Sequence, residues 1–148
     1  VGMSLAARMD GHNHRIFCIM GDGELQEGSV WEAAMSAAHH KLGNLTAIID
    51  RNGLQIDGPT ENVLSLEPLG EKWRSFGWQV ISCNGHDFQE IASCLEVAGE
   101  SRDTPCVIIA KTLMGRGIPE IEGDYHWHGK APSPSQAEAF LTILDGTV

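Results

Sequence analysis

The chain has 148 residues, 42% of them hydrophobic, which suits one globular domain that buries roughly two-thirds of its unfolded surface. Its formal net charge of −10, with no long block of like charges, argues against a phosphate-backbone partner and points to an acidic soluble protein. No basic leader precedes an apolar core segment and no apolar run reaches the ~18 residues of a membrane span, so neither nucleic acid nor membrane is an expected partner.

In chain order, "VGMSLAARMDG" reads as a helix already under way, as expected for a segment of a longer subunit. "RIFCIM" (15–20) is a short apolar strand. The helix that follows is expected to open on a capping box, Ser29-x-x-Glu32, to run to about Leu42, and to stop at Gly43 in the left-handed conformation. Its Ala33, Ala34, Ala37 and Ala38 recur at helical spacing and give it a small-residue face. If uncovered, that face is an apolar patch of the kind that marks an interface. "LTAIID" (45–50) is the second strand and "WQVISC" (78–83) the third, followed by Asp87-x-x-Glu90 as a second capping box and a helix to about Ala98. "CVIIAK" (106–111) is the fourth strand. The last helix is capped by Ser133 with Pro134 at N1 and Gln136 at N3, and carries Ala137, Phe140, Leu141 and Leu144 on one face. Strands without strict alternation, separated by helices, predict an α/β fold with a parallel sheet and helices on both faces. The cysteines Cys18, Cys83, Cys94 and Cys106 show no C-x-x-C spacing, which fits free thiols in a reducing, cytoplasmic setting.

The first strand ends in Gly21-Asp22-Gly23 and the second in Arg51-Asn52-Gly53. A single Gly-Asp-Gly is an ordinary turn, and a single Asn-Gly an ordinary hairpin tip. One helix and one strand separate the two, however, so a βαβ crossover brings them together beyond the carboxyl ends of the strands, where open parallel sheets bind ligands. There Asp22 offers a hard carboxylate oxygen, Asn52 an amide oxygen, and the turn after it a backbone carbonyl such as that of Leu54. Three oxygens leave about three positions of an octahedral Mg²⁺ for phosphate and water. Gly21 and Gly23 have no side chains to keep a phosphate from the backbone. The pattern therefore predicts a metal-diphosphate clamp.

These residues also resemble a known family. "GDGELQEG" with "HKLGNLTAIIDRNGLQIDG", continuing through "KWRSFGWQVISCNGHD", "AKTLMGRG" and "YHWHGKAPS", is similar to the thiamine-diphosphate fingerprint of transketolases over nearly the whole chain. The resemblance implies the thiamine-diphosphate-binding fold, here as a partial domain: the carboxyl-terminal part of the diphosphate-binding domain, over residues 1–148. It implies that Asp22, Asn52 and the Leu54 carbonyl hold Mg²⁺, or Ca²⁺ in its place. Gly21, Gly23, Glu24 and Asn52 would contact the cofactor, Ile56 would pack near the thiazolium ring, and His128 would reach cofactor and substrate. Glu27 resembles the acidic residue at the family's dimer interface, linked to the partner's cofactor-activating glutamate. The implied reaction is transfer of a two-carbon ketol unit between sugar phosphates, in a homo- or hetero-oligomer with a transketolase carboxyl-terminal half carrying the pyrimidine domain. The split form with two separate chains is the nearest match. Further cofactor-binding histidines that the family carries ahead of this segment are absent from the 148 residues. A deoxyxylulose-phosphate-synthase-like carboligase and a truncated, non-catalytic interaction module are the alternatives.

Other histidines carry weaker signals. By pattern alone His126 and His128 are equivalent; only the Trp-His-Gly match favours His128. His39 and His40 point about 100° apart on a helix and cannot easily chelate one ion, so they are expected at its exposed end. His86 lies in a strand-to-helix turn where Asp87 is the expected cap, and Glu120, Glu122 and Asp124 read as a solvated loop.

Overall fold

In the computed structural model, residues 1–146 are described. Four parallel strands form one sheet in the order β1-β2-β6-β5: β1 Ile16–Gly21, β2 Leu45–Arg51, β6 Cys106–Lys111 and β5 Gln79–Asn84. Helix α1 (Gly2–Met9) precedes β1, and α2 (Gly28–His39) joins β1 to β2. A small antiparallel pair, β3 (Leu54–Gln55) with β4 (Gly58–Pro59), follows β2 and leads into α3 (Thr60–Val63) and α4 (Leu69–Ser75). Helix α5 (Phe88–Gly99) joins β5 to β6, and α6 (Pro134–Asp145) comes last.

Both faces of the sheet are covered over its central strands β2 and β6, as the unalternated strands require, while the edge strand β1 is largely exposed. Ala47, Ile49, Val107 and Ile109 pack in one cluster with Ala34 and Ala37 of α2, Leu69 and Trp73 of α4, and Trp78. The residues between them, Cys106, Ile108 and Ala110, form a second cluster with Cys83 and with Cys94 and Ala98 of α5. Ile49, Val107 and Ile108 are 0–2% exposed, and burial of each such side chain contributes roughly 1.5–3 kcal/mol. Among the described residues no helix is long and apolar enough to cross a membrane.

Several local expectations are corrected. Helix α2 starts at Gly28 with Glu27 at its N-cap and no side-chain cap, so Ser29 and Glu32 form no capping box. The reason is the preceding 3₁₀ turn, Gly23–Gln26, which feeds the helix directly through Glu27 N–H to Glu24 O and Val30 N–H to Glu27 O. The left-handed residue after α2 is Lys41 (φ 52°), not Gly43. Asp87 does cap α5, accepting from the Gln89 and Glu90 N–H groups, but Glu90 reaches back to Asn84 N–H instead of completing a box. The box at Ser133 and Gln136 is complete. On α6 only Phe140 is buried, edge-on to Trp127, while Leu141 is 60% exposed. The small-residue face of α2 is covered in part: Ala34 and Ala37 are buried, Ala38 is half-buried and Ala33 is exposed, and the Trp78 Nε1–H donates to Ala34 O. Phe17 and Ile19 of β1 are among the exposed large apolar residues, as is Met35 of α2. Cys83, Cys94 and Cys106 are buried free thiols, whereas Cys18 is exposed.

Candidate functional site

Register places Gly21 beside Asp50, and the Asp22 N–H donates to Asp50 O at 3.2 Å, so the first tip is fixed against the second by the ladder itself. Asp22 is fully buried. Its Oδ2 accepts from Arg51 Nη1 at 2.8 Å and from the Gly53 N–H at 2.6 Å. Its Oδ1 is buried with no hydrogen-bond partner among the described residues. An unsatisfied buried carboxylate oxygen is costly, and a hard cation is the natural partner for it. Asn52 Oδ1 accepts from the Leu54 N–H at 2.9 Å, which turns the chain into β3; Gly53 permits that turn with φ +79°.

Gly23 is required for packing as well as access. A Cβ there would lie 2.6 Å from Gln55 Cβ, so only glycine lets the β3–β4 hairpin close against the first tip. Gln55 Nε2 donates to Gln26 Oε1, and Gln26 Nε2 donates to Leu64 O at 2.8 Å, an amide ladder that stiffens this wall. Between the tips and the hairpin lies a cleft of about 550 Å³. All the residues singled out from sequence border it: Gly21, Asp22, Gly23, Glu24, Glu27, Asn52, Leu54, Ile56 and His128. Ile56 stands 66% exposed there. Gln26, Gln55 and Asp57 also border it and were not singled out, since an amide in a turn has no motif of its own.

The two histidines separate cleanly. Asp124 caps the 3₁₀ turn Tyr125–Trp127 by accepting from the His126 N–H, and its Oδ1 also holds His126 Nδ1 at 2.6 Å. Those bonds to His126 hold the Asp124 carboxyl below its usual range. The His128 ring makes no hydrogen bond among the described residues and faces the cleft. Elsewhere, His86 Nε2 accepts from the Leu113 N–H at 2.7 Å, Glu122 accepts from the Gly117 N–H, and His39 and His40 lie at the end of α2 with ring centroids 5.0 Å apart. The acidic loop is therefore structured by its own carboxylates.

Sequence reading missed Arg51. Besides Asp22, its guanidinium donates to Thr60 Oγ1 (2.8 Å), Glu61 Oε1 (2.8 Å) and Glu67 Oε1 (3.0 Å). Burial pulls the arginine pKa down, but the bonds to Asp22, Glu67 and Glu61 outweigh it and leave it raised. The Ser65 hydroxyl, then the Leu66 N–H and Arg51, hold the Glu61 carboxyl at about 2 against an ordinary 4.5, outweighing the opposing effect of burial. The Leu69 N–H and Arg51 likewise hold Glu67 below its usual range. With folded values depressed, the unfolded chain binds more protons, so this stabilisation is complete above the ordinary glutamate range and is lost as pH falls from about 4.5 toward about 2. Glu61→Gln is expected to flatten stability against pH in that window. Urea midpoints across an acid series test this, and an unchanged slope would refute the assignment.

No three His, Cys, Asp or Glu side chains cluster as a metal site among the described residues. A cation at Asp22 would therefore share amide, carbonyl and ligand oxygens, which is the donor set of the cleft. The residues present fit such an ion with a diphosphate.

The sequence over residues 5–141 matches the family described as "Transketolase, thiamine diphosphate binding domain". The chain belongs to the transketolase family. It is 43% identical over 138 residues to an apulose-4-phosphate transketolase subunit of Phocaeicola vulgatus, covering 93% of this chain and 49% of that protein. It is 45% identical to the 6-deoxy-6-sulfo-D-fructose transketolase subunit of a Clostridium species, covering 98% of this chain and 53% of that protein. The chain thus spans about half the length of these relatives. The crystal structure of Campylobacter jejuni transketolase superposes with a TM-score of 0.79 at 30% identity, over 97% of this chain and 28% of that one. The expected parallel-sheet α/β fold is therefore the transketolase thiamine-diphosphate-binding fold.

Proposed function

We propose that this chain is the diphosphate- and metal-holding part of a transketolase that moves a two-carbon ketol unit from a ketose phosphate to an aldose phosphate. Family membership supports the reaction class, and the buried, unpartnered Asp22 Oδ1 is the observation that carries the metal assignment. Asp22, Asn52 and the Leu54 carbonyl would hold Mg²⁺, or Ca²⁺ in its place. Gly21 and Gly23, with Glu24, would let the backbone meet the diphosphate at the strand tips. Ile56 would support the thiazolium ring with the apolar surface it exposes in the cleft, and the His128 ring, without a hydrogen bond among the described residues, would meet cofactor and substrate. Bound there, thiamine diphosphate would supply the nucleophilic thiazolium carbon and the electron sink that carries the two-carbon unit.

The glutamate at the aminopyrimidine end would come from the partner, since none of the described residues that border the cleft is read in that role. Glu27, at the N-cap of α2, sits at the diphosphate end and would instead join the interface with the partner chain. The partner would be a pyrimidine-domain half of transketolase, a reading supported by relatives that are named as single subunits of transketolases and are about twice this length. The four free thiols support a cytoplasmic setting.

Asp22→Asn removes a charged ligand that has no substitute. Loss of even an outer-shell partner typically costs 10–100-fold in metal affinity, so both Mg²⁺ and thiamine diphosphate are expected to bind on the order of 10-fold more weakly, or worse. Calorimetric titration of the assembled protein tests it. Unchanged cofactor affinity in the variant would remove the metal from Asp22.

A further inference from the structure

Arg51 does not border the cleft. It lies behind Asp22, in a separate depression shared with Glu67, Pro68 and Arg74. We infer that Arg51, backed by Glu61 and Glu67, is a positioning residue that dedicates one oxygen of Asp22 to a cation while keeping the site anionic. This rests on the reading of Asp22 as a cation ligand.

The first part of the argument is occupancy. Oδ2 of Asp22 takes two donors, Arg51 Nη1 and the Gly53 N–H, at 2.8 and 2.6 Å, while Oδ1 takes none. A carboxylate free to rotate could present either oxygen or both; this one, with its side chain 1% exposed, presents only Oδ1. Thr60, fully buried at the start of α3, accepts from the same Nη1 and fixes the height of the fork.

The second part is charge. An arginine paired with Asp22 alone would cancel it, and an approaching cation would meet a neutral pair. Here the other nitrogen, Nη2, is shared by Glu61 and Glu67. One guanidinium against three carboxylates leaves the group at a formal −2, so the cleft still attracts a cation although its ligand is ion-paired. The glutamates are not recruited by the arginine alone. Glu61 accepts from the Leu66 N–H, and Glu67 from the Leu69 N–H, so the 65–69 loop holds both in place. Serving four acceptors through two nitrogens at fixed angles suits the planar fork of arginine and not the single point charge of lysine.

The test uses Mn²⁺ as a paramagnetic stand-in for Mg²⁺, titrated into the assembled protein with thiamine diphosphate and read by electron paramagnetic resonance. Arg51→Lys is expected to lower Mn²⁺ affinity by about 10-fold, in the range for loss of an outer-shell partner. The pair Glu61→Gln with Glu67→Gln keeps the side-chain size and one acceptor oxygen on each residue and removes two charges. It is expected to lower Mn²⁺ affinity severalfold and to flatten its dependence on ionic strength, since exposed charges act through a screened field. A purely structural role would lower the melting temperature and leave the Mn²⁺ affinity and salt dependence of the folded protein unchanged. That result, in variants with native circular dichroism, overturns the proposal while Asp22→Asn still weakens Mn²⁺. Absence of Mn²⁺ binding in the unsubstituted assembly overturns the cation reading itself. If Arg51→Lys fails to fold, the double glutamine variant decides.

Discussion

Trp73→Ala is expected to lower stability by about 4 kcal/mol, in the range for deleting a large buried aromatic. Trp73 is 1% exposed on α4, tilted against Trp31 at 5.3 Å between ring centroids and edge-on to Trp78 at 4.8 Å. These neighbours tie the cluster to the site. Trp31 Nε1–H donates to Leu25 O at 2.7 Å, and Leu25 is the fully buried residue of the 3₁₀ turn that begins at Gly23. Trp78 in turn holds Ala34 of α2. Emptying the Trp73 position leaves a cavity under the wall of the cleft, so the cost falls on the scaffold that positions Asp22. Trp73 Nε1 has no partner among the described residues, so Trp73→Phe, which keeps most of the ring and discards an unsatisfied donor, is expected to cost about 1.5 kcal/mol or less. Urea denaturation of both variants, followed by circular dichroism, measures the contrast. Equal losses would mean that the polar atom and not the ring volume matters.

The parts of this molecule legible in its sequence are those encoded locally or by repetition. Apolar runs at 45–50 and 106–111 read as strands because burial on both faces leaves few polar positions, and the caps at Asp87 and Ser133 were readable because a cap bonds within three residues of itself. The strand-tip site was legible for the same reason: a crossover with one helix must return the second tip beside the first. What sequence reading missed depends on distance. Arg51 has no motif of its own in the sequence; its contacts are set by Asp22, just past the end of another strand, and by Glu61 and Glu67 beyond a hairpin. The box at Ser29 and Glu32 failed because a 3₁₀ turn upstream had already started the helix. Pattern alone leaves His126 and His128 equivalent and only the Trp-His-Gly resemblance favours His128; in the structure Asp124 holds His126, a contact no local pattern announces.

Gly43 shows how a correct residue can have a mistaken reason, and its substitution is expected to be severe. The end of α2 is turned by Lys41 in the left-handed region, so Gly43 is not needed for its φ. It is needed for contact. A Cβ at 43 would lie 2.2 Å from both the C and O of Arg102 and 2.6 Å from Asp103 N. These are backbone atoms and cannot swing aside as a flexible side chain would. Gly43 is also tied to the end of α5, just ahead of Arg102: Arg15 Nη2 donates to Gly43 O at 3.1 Å and to Ala98 O at 2.6 Å, and its Nη1 donates to Gly99 O. Moving one segment away to admit a methyl group therefore strains the fork of a guanidinium that spans both. Gly43→Ala is expected to cost about 3 kcal/mol, at the upper end for overpacking because the obstacle is main chain. For a chain of this size that corresponds to a fall of roughly 10 °C in melting temperature. Gly99→Ala is the control: no atom lies within 4 Å of its would-be Cβ, so the change is expected to be neutral or slightly stabilising. Gly43 precedes the start of β2, at the opposite end of the sheet from the Asp22 cleft. The folded fraction of Gly43→Ala should therefore keep its Mn²⁺ affinity. A melting temperature within about 2 °C of the unsubstituted protein would show that the 43 and 102 segments separate freely, and the close approach would lose its structural role.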